Sequence, residues 1–326
     1  MPRVIVFDEF GGPDVMHVVD EPVPTPASGE VRVRIEAFAV NPLDLMMRSG
    51  TSPAPISLPH ARLGIEATGI VDAVGPEVTG LPTGTPVILT AVADAVTRGT
   101  YAEYTTLPAS HVISRPTELD VAEAAAIWVS FSTAYGALVE TAAMSGGDRV
   151  LVNAATGAVG RAAIQIAREV GAVPIALTRN SANEDELLDV GAAAVIATDR
   201  DDLIEAVGHH TDGVGVDIIL DLVAGPGQRQ LSETARDGAT LLAAGFLDSR
   251  PTPAPASTVT FHQYKGFVHT LDPEVVGRMA AFLTAGLRRG ALRPTVDTVL
   301  TLDKVADAHR RVEAGAHRGK VVLTVE

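Results

Sequence analysis

The chain has 326 residues, enough for two domains of ordinary size, and a hydrophobic fraction of 46% that supports a sizeable core. Its 25 basic and 40 acidic residues give a net charge of −15, which repels phosphate backbones and anionic membranes and argues against a nucleic-acid partner. It has no cysteine, which excludes disulfides, thiolate nucleophiles and every Cys-ligated zinc site.

The opening Met1-Pro2-Arg3-Val4-Ile5-Val6-Phe7-Asp8 reads as a short strand, not as a signal peptide, because no apolar stretch follows the Arg. No apolar run approaches the ~20 residues needed to span a bilayer, so the default reading is a soluble cytoplasmic protein. Up to about residue 120, short apolar runs at 31–40, 69–74 and 86–90 are broken by turn signals such as Gly11-Gly12-Pro13 and Gly80-Leu81-Pro82. That pattern predicts an irregular, mostly antiparallel β domain.

From residue 121 the rhythm changes. Predicted strands at 149–153, 173–178, 194–197, 216–221 and 240–244 alternate with helical segments. The helix at 158–170 puts Val159, Ala163, Ile166, Ala167 and Val170 on one face and ends at Gly171. Short buried runs alternating with amphipathic helices predict an α/β doubly wound parallel sheet over 121–289. Beyond a helix at 273–289, the chain returns to strand (295–301), helix (303–314) and strand (319–325). Residues 290–326 are therefore expected to rejoin the first domain. Trp128 reads as core.

The strongest chemical signal is Arg149-Val150-Leu151-Val152-Asn153-Ala154-Ala155-Thr156-Gly157-Ala158-Val159-Gly160. A buried strand runs through small residues straight into an amphipathic helix, a variant of the dinucleotide fingerprint in its required strand–loop–helix context. Ala155, Thr156, Gly157, Ala158 and Val159 are expected to bring backbone N–H groups to a pyrophosphate at the helix N-terminus. At the end of the next strand, NAD sites carry an acid for the ribose 2′-hydroxyl. Here Thr178-Arg179-Asn180 stand instead, with no carboxylate before Glu184, and Arg179 suits a 2′-phosphate. NADPH is the expected cofactor. Position at the carboxyl ends of the fourth and fifth strands makes Val223, Gly245 and Phe246 neighbours of the nicotinamide.

With those residues in hand, the chain resembles the zinc-independent, quinone oxidoreductase-like branch of the medium-chain dehydrogenase/reductase superfamily. The resemblance runs nearly end to end. It is carried by Gly64-Ile65-Glu66-Ala67-Thr68-Gly69-Ile70-Val71-Asp72-Ala73-Val74-Gly75, Gly99-Thr100-Tyr101-Ala102-Glu103-Tyr104, Ala154–Gly160 with Gln165, Gly215-Val216-Asp217-Ile218-Ile219-Leu220-Asp221 and Gly319-Lys320-Val321-Val322-Leu323. It implies a GroES-like domain beside a Rossmann domain. It also implies a homodimer joined through edge strands of the cofactor domains, with residues 258–269 supplying that strand. The zinc enzymes of the superfamily place a His where this chain has Ile65. His209, His210 and Asp212 are read as the solvated end of a helix, so no metal is expected.

Asn41-Pro42-Leu43-Asp44-Leu45-Met46-Met47-Arg48-Ser49-Gly50 resembles the family pattern Asn-x-x-Asp-x-Tyr-x-Arg-x-Gly. The resemblance implies that Asn41 holds a substrate carbonyl oxygen; as a plain residue before Pro it reads as a turn former. Asp44 and Arg48 are read as a structural ion pair. The family tyrosine falls at Met46, which makes the substrate side more apolar and leaves the proton donor open among Tyr101, Tyr135, His60 and water. Thr133, in a stretch matching the family's hinge helix, is a cofactor candidate. Without a Lewis acid, quinones and α,β-unsaturated carbonyls fit better than simple ketones. Two alternatives stand beside that reading, an enoyl or tailoring reductase of a biosynthetic pathway and a non-catalytic NADPH-binding protein.

Overall fold

Alternation of buried and exposed side chains shapes the first part of the chain. The computed structural model, which describes residues 1–315 and 317–325, begins with β1 (Arg3–Phe7), β2 (Met16–Asp20), β3 (Glu30–Ala39) and α1 (Pro42–Ser49). It continues with β4 (Ala61–Arg62), β5 (Ala67–Val74), β6 (Pro86–Leu89), α2 (Ala95–Arg98), β7 (Tyr104–Pro108), β8 (Val112–Ser114) and α3 (Val121–Tyr135). Then come β9 (Arg149–Val152), α4 (Ala158–Val170), β10 (Val173–Thr178), α5 (Glu184–Val190), β11 (Ala194–Ala197), α6 (Leu203–His210) and β12 (Val216–Asp221). The chain closes with α7 (Gln228–Glu233), β13 (Ala235–Ala243), β14 (Thr260–Gln263), α8 (Phe267–Thr270), α9 (Pro273–Arg288), β15 (Val296–Thr301), α10 (Val305–Glu313) and β16 (Lys320–Thr324).

These elements form two compact units, one of Met1–Val129, Thr270–Ala280 and Pro294–Glu326, the other of Ser130–His269 and Ala281–Arg293. The breaks fall at 129/130 inside α3, 269/270 inside α8, 280/281 inside α9 and 293/294 after it, whereas the sequence places them at 120/121 and 289/290. In the first unit β3 is the pivot. Val31, Val33, Ile35 and Ala37 are buried, and the strand pairs antiparallel with β5, β7 and β16 in a sheet ordered β15-β16-β3-β5-β6-β8. Phe38, Leu63, Tyr101 and Leu323 lie in its core. A second sheet, β2-β1-β4, is antiparallel throughout.

The second unit is the expected doubly wound domain. Its six strands are all parallel, in the order β11-β10-β9-β12-β13-β14. Leu151, Ile219 and Leu241 are fully buried at its centre, as strands covered on both faces must be. The order reverses between β9 and β12, and ligands of such sheets bind outside the carboxyl ends at that switch point.

Two sequence expectations need correction. The run read at 258–269 is strand only over β14; Tyr264 N–H still donates to Ala243 O at 2.9 Å, after which the chain turns into α8. One helical run, Val121–Thr141, is long and apolar enough to cross a bilayer, although no such run was expected. It is mostly buried against the fold, because it serves as a core helix, with Trp128 1% exposed and its Nε1–H donating to Thr90 O at 2.6 Å.

Candidate functional site: a phosphate cradle and a buried polar cluster

β9 delivers the chain to a turn in which Ala154 takes a φ of +44° and Gly157 N–H donates to Ala154 O at 2.9 Å. Gly157 is the extended N-cap of α4, and no side chain caps the amides of the first turn. Gly160 is there for proximity: a Cβ would lie 2.6 Å from Ala154 O and 2.7 Å from Ala155 Cα. Thr156, Gly157, Ala158 and Val159 are half-buried around this turn. The fully buried Ala155 packs into the core with Ile164 and Ala176, so only its backbone serves the loop. Open amides at the positive end of a 13-residue helix suit a pyrophosphate.

The neighbouring strand ends converge on the same edge. Thr178 accepts from Asn183 Nδ2 at 3.0 Å, and the Asn180 side chain caps the following turn through Ala182 N–H at 2.9 Å. Arg179 between them is exposed and makes no hydrogen bond or ion pair among the described residues. Asp199, the nearby acid, accepts from the Ser181 amide at 3.0 Å and its hydroxyl at 3.1 Å. Val223 and Gly245 are brought together: a Cβ on Gly245 would lie 1.8 Å from Leu222 O, and Asp248 N–H donates to Val223 O at 2.9 Å. Phe246, 54% exposed, follows. Thr133 is half-buried, with its hydroxyl 3.8 Å from where a Cβ of Gly266 would sit.

The motif reading assigned no role to the latch that fixes this edge. Asn153 Nδ2 donates to Asp221 at 2.6 Å, while its Oδ1 accepts from Leu222 N–H at 2.6 Å. Asp221, fully buried, also accepts from the amides of Val223 (2.9 Å) and Ala224 (3.0 Å) and from Gln228 Nε2 (3.0 Å). Ala224 adopts φ 61°, ψ −151°, a region that favours glycine, and the carboxylate's two loop amides hold it there. An Asp ending a parallel strand was the available signal, but its partners are set by the fold. Gln165 is likewise structural, clamping Arg293 through its main-chain N–H (2.7 Å) and C=O (3.1 Å).

In the first unit, α1 begins at Asn41, whose N–H donates to Asp44 at 2.8 Å. Asp44 also accepts from Gly64 N–H at 3.0 Å. Gly64 needs its φ of +104° and its missing side chain, since a Cβ would meet Thr100 Oγ1 at 2.2 Å. The Asn41 amide donates to Glu66 Oε1 at 3.0 Å and to Ala39 O at 3.3 Å, and its Oδ1 accepts from Lys320. Lys320 also pairs with Glu66. Asn41 is thus an N-cap built into a buried polar cluster, not a plain turn residue. Met46 lies half-buried on α1.

Asp44 and Arg48 do not pair. Arg48, 2% exposed, meets Glu313, His309 Nδ1 (3.1 Å) and Gly11 O (3.0 Å), because α1 presents it to α10. Since Arg only donates, His309 Nδ1 accepts, so Nε2 carries the proton toward Tyr101 Oη at 3.1 Å. Of the proposed proton donors, Tyr101 is fully buried and stacked on Phe38, and Tyr135 is buried beside Phe282. His60 is tied to Glu21 at 2.9 Å. Burial, with the Asp44 carboxylate hydrogen-bonded beside it, pushes the Tyr101 phenol well up.

Burial also pushes the Asp44 carboxyl up to about 7, against the pull of the Asn41 and Gly64 amides and Lys320. It pulls His309 down to about 3, helped by Arg48. The two have opposite consequences. His309 stays neutral in the fold, so its contribution is complete above about pH 6.5 and is lost as pH falls toward 3. The protonated Asp44 favours folding below about pH 4, and that contribution is lost as pH rises to 7. Between pH 4 and 6.5 the slopes offset. Urea melts are expected to show this by separating them: His309→Gln stability falls across that window, while Asp44→Asn stability rises. Each slope is at most about 1.4 kcal/mol per pH unit. A slope of the opposite sign in either variant would refute the assignment.

Family models match residues 27–117 (alcohol dehydrogenase GroES-like domain) and 190–323 (zinc-binding dehydrogenase). The residues here do not fit zinc. Ile65 replaces the motif His, the chain has no cysteine, and no group of three or more His, Cys, Asp or Glu comes together among the described residues. The quinone oxidoreductase of Lama guanicoe is 32% identical over 99% of this chain and 98% of its own length. A mycocerosic acid synthase-like polyketide synthase of Mycolicibacterium smegmatis is 30% identical over 92% of this chain, which spans 14% of that longer protein. A mycobacterial protein solved with NADPH matches with a TM-score of 0.89 at 30% identity, covering 99% of both chains. The chain therefore belongs to the zinc-independent, quinone oxidoreductase-like branch of the medium-chain dehydrogenase/reductase superfamily.

Proposed function

We propose that the protein is an NADPH-dependent reductase that delivers a hydride to a quinone or an α,β-unsaturated carbonyl. The observation that carries the cofactor choice is Arg179, exposed and unpartnered among the described residues at the end of β10, where the strand itself ends in no carboxylate and the nearby Asp199 is engaged by Ser181. The amides opening α4 hold the pyrophosphate, Thr178 and Asn180 flank the ribose, and Thr133, Val223, Gly245 and Phe246 border the nicotinamide. When bound, NADPH supplies the hydride. Asn41 and Met46 serve the substrate, Asn41 by a hydrogen bond to its oxygen. That bond replaces the amide's longer contact to Ala39 O, the weaker of its two. A conjugated acceptor spreads the developing charge, so hydrogen bonding suffices where Ile65 stands at the motif His and no cysteine is present. Quinone reduction can take its protons from water, consistent with Met46 at the family's Tyr position.

The likeness to a polyketide synthase favours a second reading, an enoyl reductase of a biosynthetic pathway. β14, an edge strand with all four residues exposed, supports a homodimer joined through it. The test is oxidation of NADPH, with NADH alongside, against a panel of ortho-quinones, conjugated enals and enoyl thioesters. Turnover with a quinone or enal and preference for NADPH are expected. Tight NADPH binding with no turnover on any acceptor would favour a binding protein instead.

A further inference from the structure

A buried cation stands in the polar cluster of the first unit. Lys320 is one of three lysines in the chain, and its side chain is 6% exposed. Its ammonium donates to Asn41 Oδ1 and to Glu66 Oε1. Glu66, 1% exposed, uses its other oxygen to accept Val129 N–H at 2.9 Å. A buried ion pair is seldom more stable than apolar side chains of the same volume, so stability alone does not account for this one.

Its geometry does. An ammonium only donates, so the carboxamide atom it meets must be oxygen. Glu66 Oε1, which only accepts when ionised, draws Nδ2 at 3.0 Å. The two charges together set which way the Asn41 amide faces and where it sits. Its second N–H is left on the long contact to Ala39 O at 3.3 Å. We propose that Lys320, paired with Glu66, is a positioning residue that presents Asn41 as a hydrogen-bond donor to an electron-rich substrate oxygen, selecting carbonyl and quinone acceptors. This rests on the reading of the protein as a reductase of such acceptors.

The test compares wild type, K320R and the neutral double variant E66Q/K320M. Melting temperature and NADPH affinity report fold and cofactor binding. kcat is measured with the acceptor that the panel identifies. Exchange of the Asn41 side-chain amide protons is followed by NMR, their signals assigned by loss in Asn41→Asp. E66Q/K320M, which leaves no unpaired charge, is expected to melt close to wild type and to bind NADPH unchanged. Its kcat is expected to fall about 100-fold, the scale set by misplacing one orienting group. Its amide protons are expected to exchange fast, and those of wild type and K320R slowly. K320R, which keeps the buried charge, is expected to lose less than about tenfold in kcat. E66Q/K320M with slow exchange and kcat within about threefold of wild type would overturn the proposal; so would fast exchange in K320R with kcat unchanged. If wild type reduces no acceptor, the reductase reading fails. Amide exchange then decides Lys320's role by itself, slow in wild type and K320R and fast in E66Q/K320M if the inference holds.

Discussion

Asp221→Ala is expected to destabilise the protein by about 4 kcal/mol. The carboxylate is fully buried and accepts from Asn153 Nδ2, the Val223 and Ala224 amides and Gln228 Nε2. Removing it strands these donors where water has little access, each at about 1–3 kcal/mol before relaxation. It also frees Ala224 from φ 61°, which returns about 1 kcal/mol and keeps the net below the simple sum. A loss of that size lowers the melting temperature by roughly 10 °C. Asp221→Asn keeps an acceptor but adds an N–H among donors, and is expected to cost about half as much. A melting temperature within 2 °C of wild type for Asp221→Ala, about what 0.8 kcal/mol produces on the same scale, would mean the latch is not what holds these loops.

Arg179→Ala is expected to weaken NADPH by about 1.5–3 kcal/mol, the scale of hydrogen bonds to a charged group. That is roughly a 10- to 150-fold rise in Kd, with NADH nearly unchanged. The guanidinium is exposed and holds no internal ion pair among the described residues, so it is removed without stranding a partner or unsettling the fold. Affinity and stability are therefore separable at this position, unlike at Asp221. Calorimetric titration with both cofactors checks it. Equal losses for NADPH and NADH would show that Arg179 does not read the 2′-phosphate.

The two parts of the molecule were not equally legible in the sequence. The parallel sheet was, because β9, β10 and β12 each hold a short apolar run (150–152, 173–177 and 218–220) and α4 shows a clear 3.6-residue period ending at Gly171, φ 88°. The cradle was legible for the same reason: strand, small-residue loop and helix are contiguous. The buried cluster was not. Asn41, Glu66 and Lys320 are up to 279 residues apart and meet only because β16 pairs with β3 immediately before α1. Spacing within a motif suggested an Asp44–Arg48 pair, but i,i+4 neighbours on a helix need not bond when other elements offer better partners. Here Gly64 N–H takes Asp44 and α10 takes Arg48. Asp221 was visible as a motif residue, yet its latch depends on loops whose course no local pattern encodes.

Movement of a hydride from NADPH to a conjugated acceptor is followed by isotope transfer. NADPH deuterated at the nicotinamide C4 is mixed with the purified protein and a quinone or enal, and the product is read by mass spectrometry and NMR. NADP⁺ is expected to form in step with reduced acceptor. With an enal, one deuterium is carried to the β-carbon. Reduced enal that carries no deuterium, whether the pro-R or the pro-S hydrogen at C4 is labelled, or NADPH that stays unoxidised with every acceptor, would contradict hydride transfer.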